Sequence, residues 1–587
     1  MRDLLCQFSL RALALAAATL TASAAFANQT VFWLEPRSNV TFDKQVTREI
    51  GQRAGLVVLR ASWNNPDPDY TLKAVIGRFK ADTTAPVLSY SWANRYTDAG
   101  RSEADLLRGF DDGKARALAE TKGDNDTKVD FLDVRNPDVR KRVVSQFLRA
   151  RNGLGVDGFA VDLSTRTPNA RPAELAKRCQ QEADFCPSYA GGMDALFGEL
   201  RQGLGPNAFV VYNGLFNFAP GQLKDQAKLL ASTSGAAIEF FGMDPKNPKH
   251  SFTEDIRPFL EIIPTLPANR SVLVFGRGPL TYTDYAQDYL WQRYLYACFL
   301  LVARPVDFFK YHATFQVPTQ RGRTGGMDYY ADWSADLGAA RGAARQVGGL
   351  WVREFANGLV AAAPDDGRGG TLSLGGKGYF TLEGHRRLGE LRLSAGEGAI
   401  LLNSERPAKP AKREIDARTM ASWKWGGAQL DKMDGREVLR LAAEKQPGEH
   451  DVLLDFERSA NPYEHLEIDA ELLDRSAAIL AVAEVDDPKR EHTQVVLEVS
   501  SDDGKGGSAA LEDGAPFRSP TAKSGRDTWP TLHLKKSLKQ ETFGFGAAAL
   551  EGTRYRFKRW SHVRLVGAVA VSRIELNNPT MRVVDKP

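Results

Sequence analysis

The feature that most constrains this chain is an alternation running from about Thr30 to Ala313, in which short apolar runs are separated by amphipathic stretches. Repeated in this way, it is the pattern of β/α units whose parallel strands are covered on both faces. Eight runs read as strands: Val31–Glu35, Leu56–Ser62, Pro86–Ser91, Gly158–Leu163, Phe209–Asn213, Ala236–Phe241, Val272–Gly276 and Val306–Tyr311. Stretches such as Pro137–Ala150 and Thr283–Val302 read as the helices between them. Eight units over roughly 280 residues fit a closed (β/α)₈ barrel. The competing arrangement, an open doubly wound sheet, would typically carry a glycine-rich phosphate loop after its first strand, and Glu35-Pro36-Arg37 is not one.

The chain has 587 residues, too many for a single core. After a Gly-, Asp- and Tyr-rich connector, the pattern changes at about Gly348 to short, turn-punctuated strands, with examples at Leu350–Phe355, Leu359–Ala363, Thr371–Leu374, Tyr379–Leu382 and Ala399–Asn403. Residues 404–412 (SERPAKPAK) read as a linker. Beyond it, strand candidates such as Val452–Phe456, Leu466–Ala470, Ala478–Val485, Val495–Val499 and Ile574–Asn577 suggest a β-sandwich. The expected organisation is α/β: a barrel over 28–347, a small antiparallel β domain over 348–404 and a β-sandwich over 413–587. Trp423, Trp425, Trp529, Tyr555 and Trp560 either form a carbohydrate platform on that sandwich or fill its core.

The first 27 residues read as a signal peptide: Arg2 and Arg11, an apolar run from Ala12 to Ala22, and Ala25-Phe26-Ala27 before a cleavage point at Asn28. The run is too short for a membrane span, so the expectation is a periplasmic or secreted protein without stable membrane insertion. Three cysteines remain after cleavage, and Cys179 with Cys186 suggests a small disulfide loop rather than two free thiols in an oxidising compartment. Cys298 lies in an aromatic helical run and reads as core. Basic and acidic residues nearly balance, at 77 and 73, and no basic stripe interleaves with aromatics, so nucleic acid is not an expected partner. No CxxC pair, HExxH, G-x-S-x-G or P-loop occurs, so no metal and no cofactor is expected.

Barrel enzymes place their chemistry at the C-terminal ends of the strands. Asp162 ends the fourth strand inside Val-Asp-Leu, and Glu239 stands inside Ala236–Phe241, otherwise wholly apolar. A carboxylate among apolar neighbours costs free energy unless it has a partner or a task. Strands four and six are two apart, so the two can converge across the mouth. One of a carboxylate pair can protonate a glycosidic oxygen while the other attacks the anomeric carbon or activates water. Both could instead pair with barrel cations such as Arg60, Arg277 or Lys310. Glu35, Trp63, Tyr90, Trp92, Tyr212, Asn213, Arg277, Lys310 and His312, at or after strand ends, are the candidate substrate contacts, with the aromatics suited to sugar-ring stacking. Trp33, Tyr96, Asn64 and Asn94 belong to the same set in a wider reading.

The segment Val129-Asp130-Phe131-Leu132-Asp133-Val134-Arg135-Asn136-Pro137-Asp138-Val139-Arg140, the strand Gly155-Val156-Asp157-Gly158-Phe159-Ala160-Val161-Asp162 and Trp351-Val352-Arg353-Glu354-Phe355-Ala356-Asn357-Gly358 resemble segments of glycoside-hydrolase-like barrels that are distantly similar to the melibiase-type α-galactosidases. The resemblance covers about residues 30–404. It implies Asp162 as nucleophile and Glu239 as proton donor, although the melibiase group has aspartate at the second position. The expectation is a hydrolase of polysaccharide, bacterial exopolysaccharide in particular, with a retaining mechanism and with export machinery as a partner. The alternative is a non-catalytic polysaccharide-binding protein on a degenerate barrel. An enzyme should hold both carboxylates free of Arg or Lys bridges, whereas a binder should bury one in such a bridge.

Overall fold

The structure is a computed structural model. It describes residues 29–34, 44–60, 71–93, 95–97, 117–122, 128–162, 164–167, 173–216, 221–242, 251–277, 285–312, 329–382, 386–405, 412–421, 428–441, 449–453, 457–458, 465–474, 477–486, 494–500, 517–518, 528–529, 531–536, 541–545, 550 and 555–577. The signal-like segment, Glu35 and Trp63 lie outside the described residues, as do Asn64, Asn94, Trp423 and Trp425.

The chain begins with β1 (Val31–Leu34), α1 (Lys44–Arg53), β2 (Leu56–Arg60), α2 (Leu72–Asp82) and β3 (Val87–Trp92). Three further strands follow, β4 (Arg95–Thr97), β5 (Ala117–Lys122) and β6 (Lys128–Leu132), which pair antiparallel in a sheet of their own. Then come α3 (Pro137–Leu154), β7 (Gly158–Asp162), α4 (Ala173–Gln181), α5 (Phe185–Leu204), β8 (Phe209–Asn213), α6 (Gln222–Gln226), β9 (Gly235–Phe241), α7 (Arg257–Ile262), β10 (Ser271–Arg277), α8 (Tyr285–Leu300) and β11 (Phe308–His312). The order β1-β2-β3-β7-β8-β9-β10-β11 makes one eight-stranded sheet, parallel throughout. A parallel bridge from Thr30 to Phe309 brings its two edges together. This is the (β/α)₈ barrel.

Alternation along each strand sorts side chains to two cores. Val31, Trp33, Leu56, Val58, Leu88, Ala160, Val211, Ala237, Leu273 and Phe275 fill the barrel interior. Phe32, Leu34, Phe159, Val161, Val210, Tyr212, Ile238 and Val274 face the helical layer. The helices are punctuated as their sequence requires. Asn136 caps α3 by accepting from the Asp138 amide at 2.9 Å, Pro137 occupies the first turn, and Gly155 ends the helix with φ at 75°. Gly158 opens β7 because β8 passes too close for a side chain: a Cβ there would lie 1.9 Å from the Phe209 carbonyl oxygen. Cys179 and Cys186 form a disulfide between α4 and the start of α5, and Cys298 is buried in α8.

Behind the barrel, the strands Arg345–Val347, Leu350–Glu354, Gly358–Ala362, Gly398–Leu402, Tyr379–Phe380 and Arg386–Arg387 form an antiparallel sheet. Val360, Ala362, Ile400 and Leu402 join the same core as Tyr294 and Ala297 of α8. Two five- and six-strand sheets then enclose a separate core that includes Leu439, Ile468, Ile479, Leu497, Val563 and Ile574, which is the β-sandwich. Trp560 is wholly buried in that core, 6.0 Å from Phe545, so it is not part of an exposed platform. Tyr555 packs against the same core. The side chain of Trp529 lies outside the described residues.

Candidate active site

The inward series at the C-terminal ends of the barrel strands is Tyr90 and Trp92 on β3, Asp162 on β7, Asn213 on β8, Glu239 on β9 and Arg277 on β10. Strand register sets it: Trp92 pairs with Asp162, and Asn213 with Ala237 two residues before Glu239. Asp162 is 7 % exposed and accepts three hydrogen bonds. Tyr90 Oη donates to its Oδ2, as does Trp92 Nε1 at 2.9 Å, and Asn213 Nδ2 donates to its Oδ1 at 2.7 Å. An acceptor-only carboxylate is the group that three donors suit.

Asn213 Nδ2 also donates to Glu239 Oε2, at 3.0 Å. One amide nitrogen thus spans both carboxylates, and the two acceptor oxygens lie at most about 5.7 Å apart. The amide nitrogen faces Asp162, since an amide oxygen in its place would be repelled by that carboxylate. Asn213 Oδ1 is left buried with no hydrogen-bond partner among the described residues.

Arg277 Nη2 donates to Glu239 Oε1 at 2.5 Å. The guanidinium lies 5.1 Å from the Phe240 ring centroid, and the backbone oxygen of Arg277 is held by Trp291 Nε1 at 2.9 Å. Burial raises the Glu239 carboxyl above its ordinary range. The Arg277 charge opposes that shift and the Asp162 charge adds to it. Among the described residues Asp162 has no cation bridge, as expected of an enzyme, whereas Glu239 is bridged to Arg277, the feature expected of the binding-protein alternative.

The loop after β7 is tied down. Arg166 pairs bidentately with Asp194 of α5 at 2.8 Å and also with Asp225 of α6, while its backbone amide donates to Gln226 Oε1 at 2.6 Å. Burial on α6, with bonds to Arg166 and Thr167, fixes Gln226; the sequence alone offered no signal for it. Asp157, at the opposite end of β7, pairs with Lys80 and accepts from the Val87 amide, a structural role.

Two expected substrate contacts are corrected. Tyr212 precedes Asn213 and so faces the helical layer. It is fully buried, 6.1 Å from Phe197 of α5, and its Oη donates to the Gln226 carbonyl at 2.7 Å. Lys310 is also fully buried, its Nζ 5.2 Å from the Phe32 ring and 5.7 Å from the Trp333 ring, so no part of it reaches solvent at the mouth. Trp33 is 8 % exposed and packs edge-on to Tyr90 and Phe275 inside the barrel. His312 ends β11, but its side chain lies outside the described residues, as do those of Arg60 and Tyr96.

Residues 89–359 match the model of a family described as hypothetical glycosyl hydrolase family 15. The match runs from β3 through the last barrel strand into the small sheet and includes all six inward residues named above. Among solved structures, an alpha-amylase from Malbranchea cinnamomea aligns with 65 % of this chain and 97 % of its own at 9 % identity and a TM-score of 0.41. A maltogenic alpha-amylase from Thermotoga neapolitana aligns with 64 % of this chain and 99 % of its own at 11 % identity and a TM-score of 0.39. An alpha-galactosidase from Thermus thermophilus aligns with 37 % of this chain and 43 % of its own at 11 % identity and a TM-score of 0.24. Likeness this distant says nothing of substrate. No curated protein matches the chain.

Proposed function

We propose that this glycoside hydrolase is exported and cleaves a polysaccharide, with bacterial exopolysaccharide as the expected class, by a retaining mechanism in which Asp162 is the nucleophile and Glu239 the general acid and base. The observation that carries this reading is the Asn213 amide held between the two carboxylates. The two oxygens that it joins lie at most about 5.7 Å apart, which supports a pair close enough to act on one anomeric carbon, as a retaining pair must.

In the first step an Asp162 oxygen attacks the anomeric carbon. The glycosidic C–O bond breaks, and the Glu239 proton passes to the leaving oxygen. In the second step water attacks the same carbon, Glu239 takes its proton, and the ester to Asp162 is released. Tyr90, Trp92 and Asn213 hold the nucleophile from three sides, which limits it to one approach.

The pH dependence tests the assignment of Glu239. Its proton is needed for the first step, so kcat/KM is highest where Glu239 is protonated and falls as pH rises through its folded-state pKa. That pKa is raised above the ordinary glutamate value of 4.5. The expected profile on a polysaccharide or on a synthetic glycoside with a poor leaving group therefore has a basic limb above the usual carboxylate range, and the limb disappears in Glu239→Gln. An unchanged limb in that variant assigns the proton to another group.

Export is supported by the signal-like first 27 residues and by the Cys179–Cys186 disulfide. Among the described residues no helix is long and apolar enough to cross a membrane. N-terminal sequencing of the protein recovered from outside the cytoplasm is expected to begin at Asn28. An intact Met1 in that fraction contradicts cleavage.

A further inference from the structure

The ion pair between Glu239 and Arg277 is at odds with the acid role of Glu239. A general acid must carry its proton into the reaction, but a guanidinium on its Oε1 favours the anion. The cation cannot simply be left: Arg277 is about a quarter exposed, and its Nε is buried with no acceptor among the described residues. A half-buried guanidinium that loses its counter-ion is costly. Asp162 is turned to Tyr90, Trp92 and Asn213, and the ion pair that Arg277 makes among the described residues is with Glu239. Among the described residues the arrangement holds no second anion placed to take Arg277 when Glu239 becomes neutral.

We propose that the substrate brings that anion, so that the sugar bound beside Arg277 is an acidic one, a uronic acid whose carboxylate pairs with the guanidinium. This inference rests on the hydrolase reading above and adds the substrate class to it. Arg277 is then a specificity residue. Its fork of N–H donors, with Nε and Nη2 on one edge, matches a carboxylate in bidentate fashion. As the substrate carboxylate replaces Glu239 on Arg277, Glu239 is released beside the negative charge of Asp162, and both changes favour its proton. A neutral sugar offers no such exchange and leaves the Arg277 charge on Glu239, where it opposes the upward shift that burial gives that carboxyl.

The test compares polyuronates (polygalacturonate, alginate and hyaluronan) with the same polymers after chemical reduction of their carboxylates to alcohols. Hydrolysis is read by new reducing ends with the wild type. Binding of oligosaccharides from each polymer is read by calorimetry with Asp162→Asn, so recognition is seen whether or not turnover occurs. The expected result is that at least one polyuronate is bound and cleaved, and that its reduced form loses tenfold or more in both. Arg277→Met should abolish that preference, and Arg277→Lys should retain part of it, which separates lost recognition from lost folding. Equal binding and cleavage of the reduced polymer overturns the acidic-sugar inference and leaves the hydrolase reading intact. Binding that depends on carboxylate and on Arg277 without cleavage upholds the inference and counts against hydrolysis. No binding of any polyuronate overturns the inference.

Discussion

Asp162→Asn should lose roughly a thousandfold or more in kcat on any substrate that the wild type hydrolyses, with little change in the fold. Asparagine is nearly isosteric, and Tyr90 and Trp92 can still donate to its oxygen. What is lost is the nucleophile. The third donor, Asn213 Nδ2, would then face an amide rather than a carboxylate oxygen, so some local rearrangement of Asn213 is expected. The measurement is initial rate with circular dichroism of the same preparation. A variant that keeps a tenth of wild-type activity with an unchanged spectrum removes Asp162 from the chemistry and moves the nucleophile elsewhere in the barrel.

The largest expected effect on stability lies at the other end of the barrel. Asp307 is wholly buried just before β11. Its Oδ1 accepts from Arg304 Nη2 at 2.7 Å and from the Val272 amide at 2.8 Å, and its Oδ2 accepts from the Arg304 amide and Nε, both at 2.9 Å. Arg304 donates further to the carbonyls of Leu266, Pro267 and Arg270. The pair therefore fastens the starts of β10 and β11 together, next to where the sheet closes on β1. Asp307→Ala should cost about 3–5 kcal/mol, because it removes the counter-charge of a largely buried guanidinium and leaves the Val272 and Arg304 amides without their acceptor. Denaturant unfolding followed by barrel tryptophan fluorescence reads this. A cost under about 1 kcal/mol would mean that water replaces the carboxylate and that the pair is not what holds the strand starts.

Much of this architecture is legible in the sequence, for a physical reason. A parallel barrel strand is covered on both faces, so it appears as a continuous apolar run, and all eight such runs became barrel strands with ends within two residues of expectation. The same property exposes the site, since Asp162 and Glu239 stand out as charges in otherwise apolar runs. The inserted strands β4, β5 and β6 were not legible, because Arg95–Thr97, Ala117–Lys122 and Lys128–Leu132 are short and mixed in polarity. Nor did residue type reveal facing. Tyr212 and Asn213 are adjacent, so only one can line the mouth, and a period of two counted from Asp162's strand would have chosen Asn213. Lys310 looked like a strand-end cation, but it is fully buried, with the Phe32 and Trp333 rings among its neighbours. The double hydrogen bond of Asn213 and the contact of Arg277 with Glu239 depend on how neighbouring strand ends converge, which no single run encodes.

The spacing of the two carboxylates is the centre of this account, and the stereochemistry of hydrolysis reads it most directly. Proton NMR of the anomeric signals during the first turnovers on a cleaved polysaccharide, before mutarotation, reports the configuration of the new reducing end. With Asp162 as nucleophile and Glu239 as acid and base, their hydrogen-bonded oxygens at most about 5.7 Å apart, the first-formed product keeps the configuration of the bond that was cut. A product of inverted configuration would require room for a water between the carboxylates, and it would contradict the covalent role of Asp162.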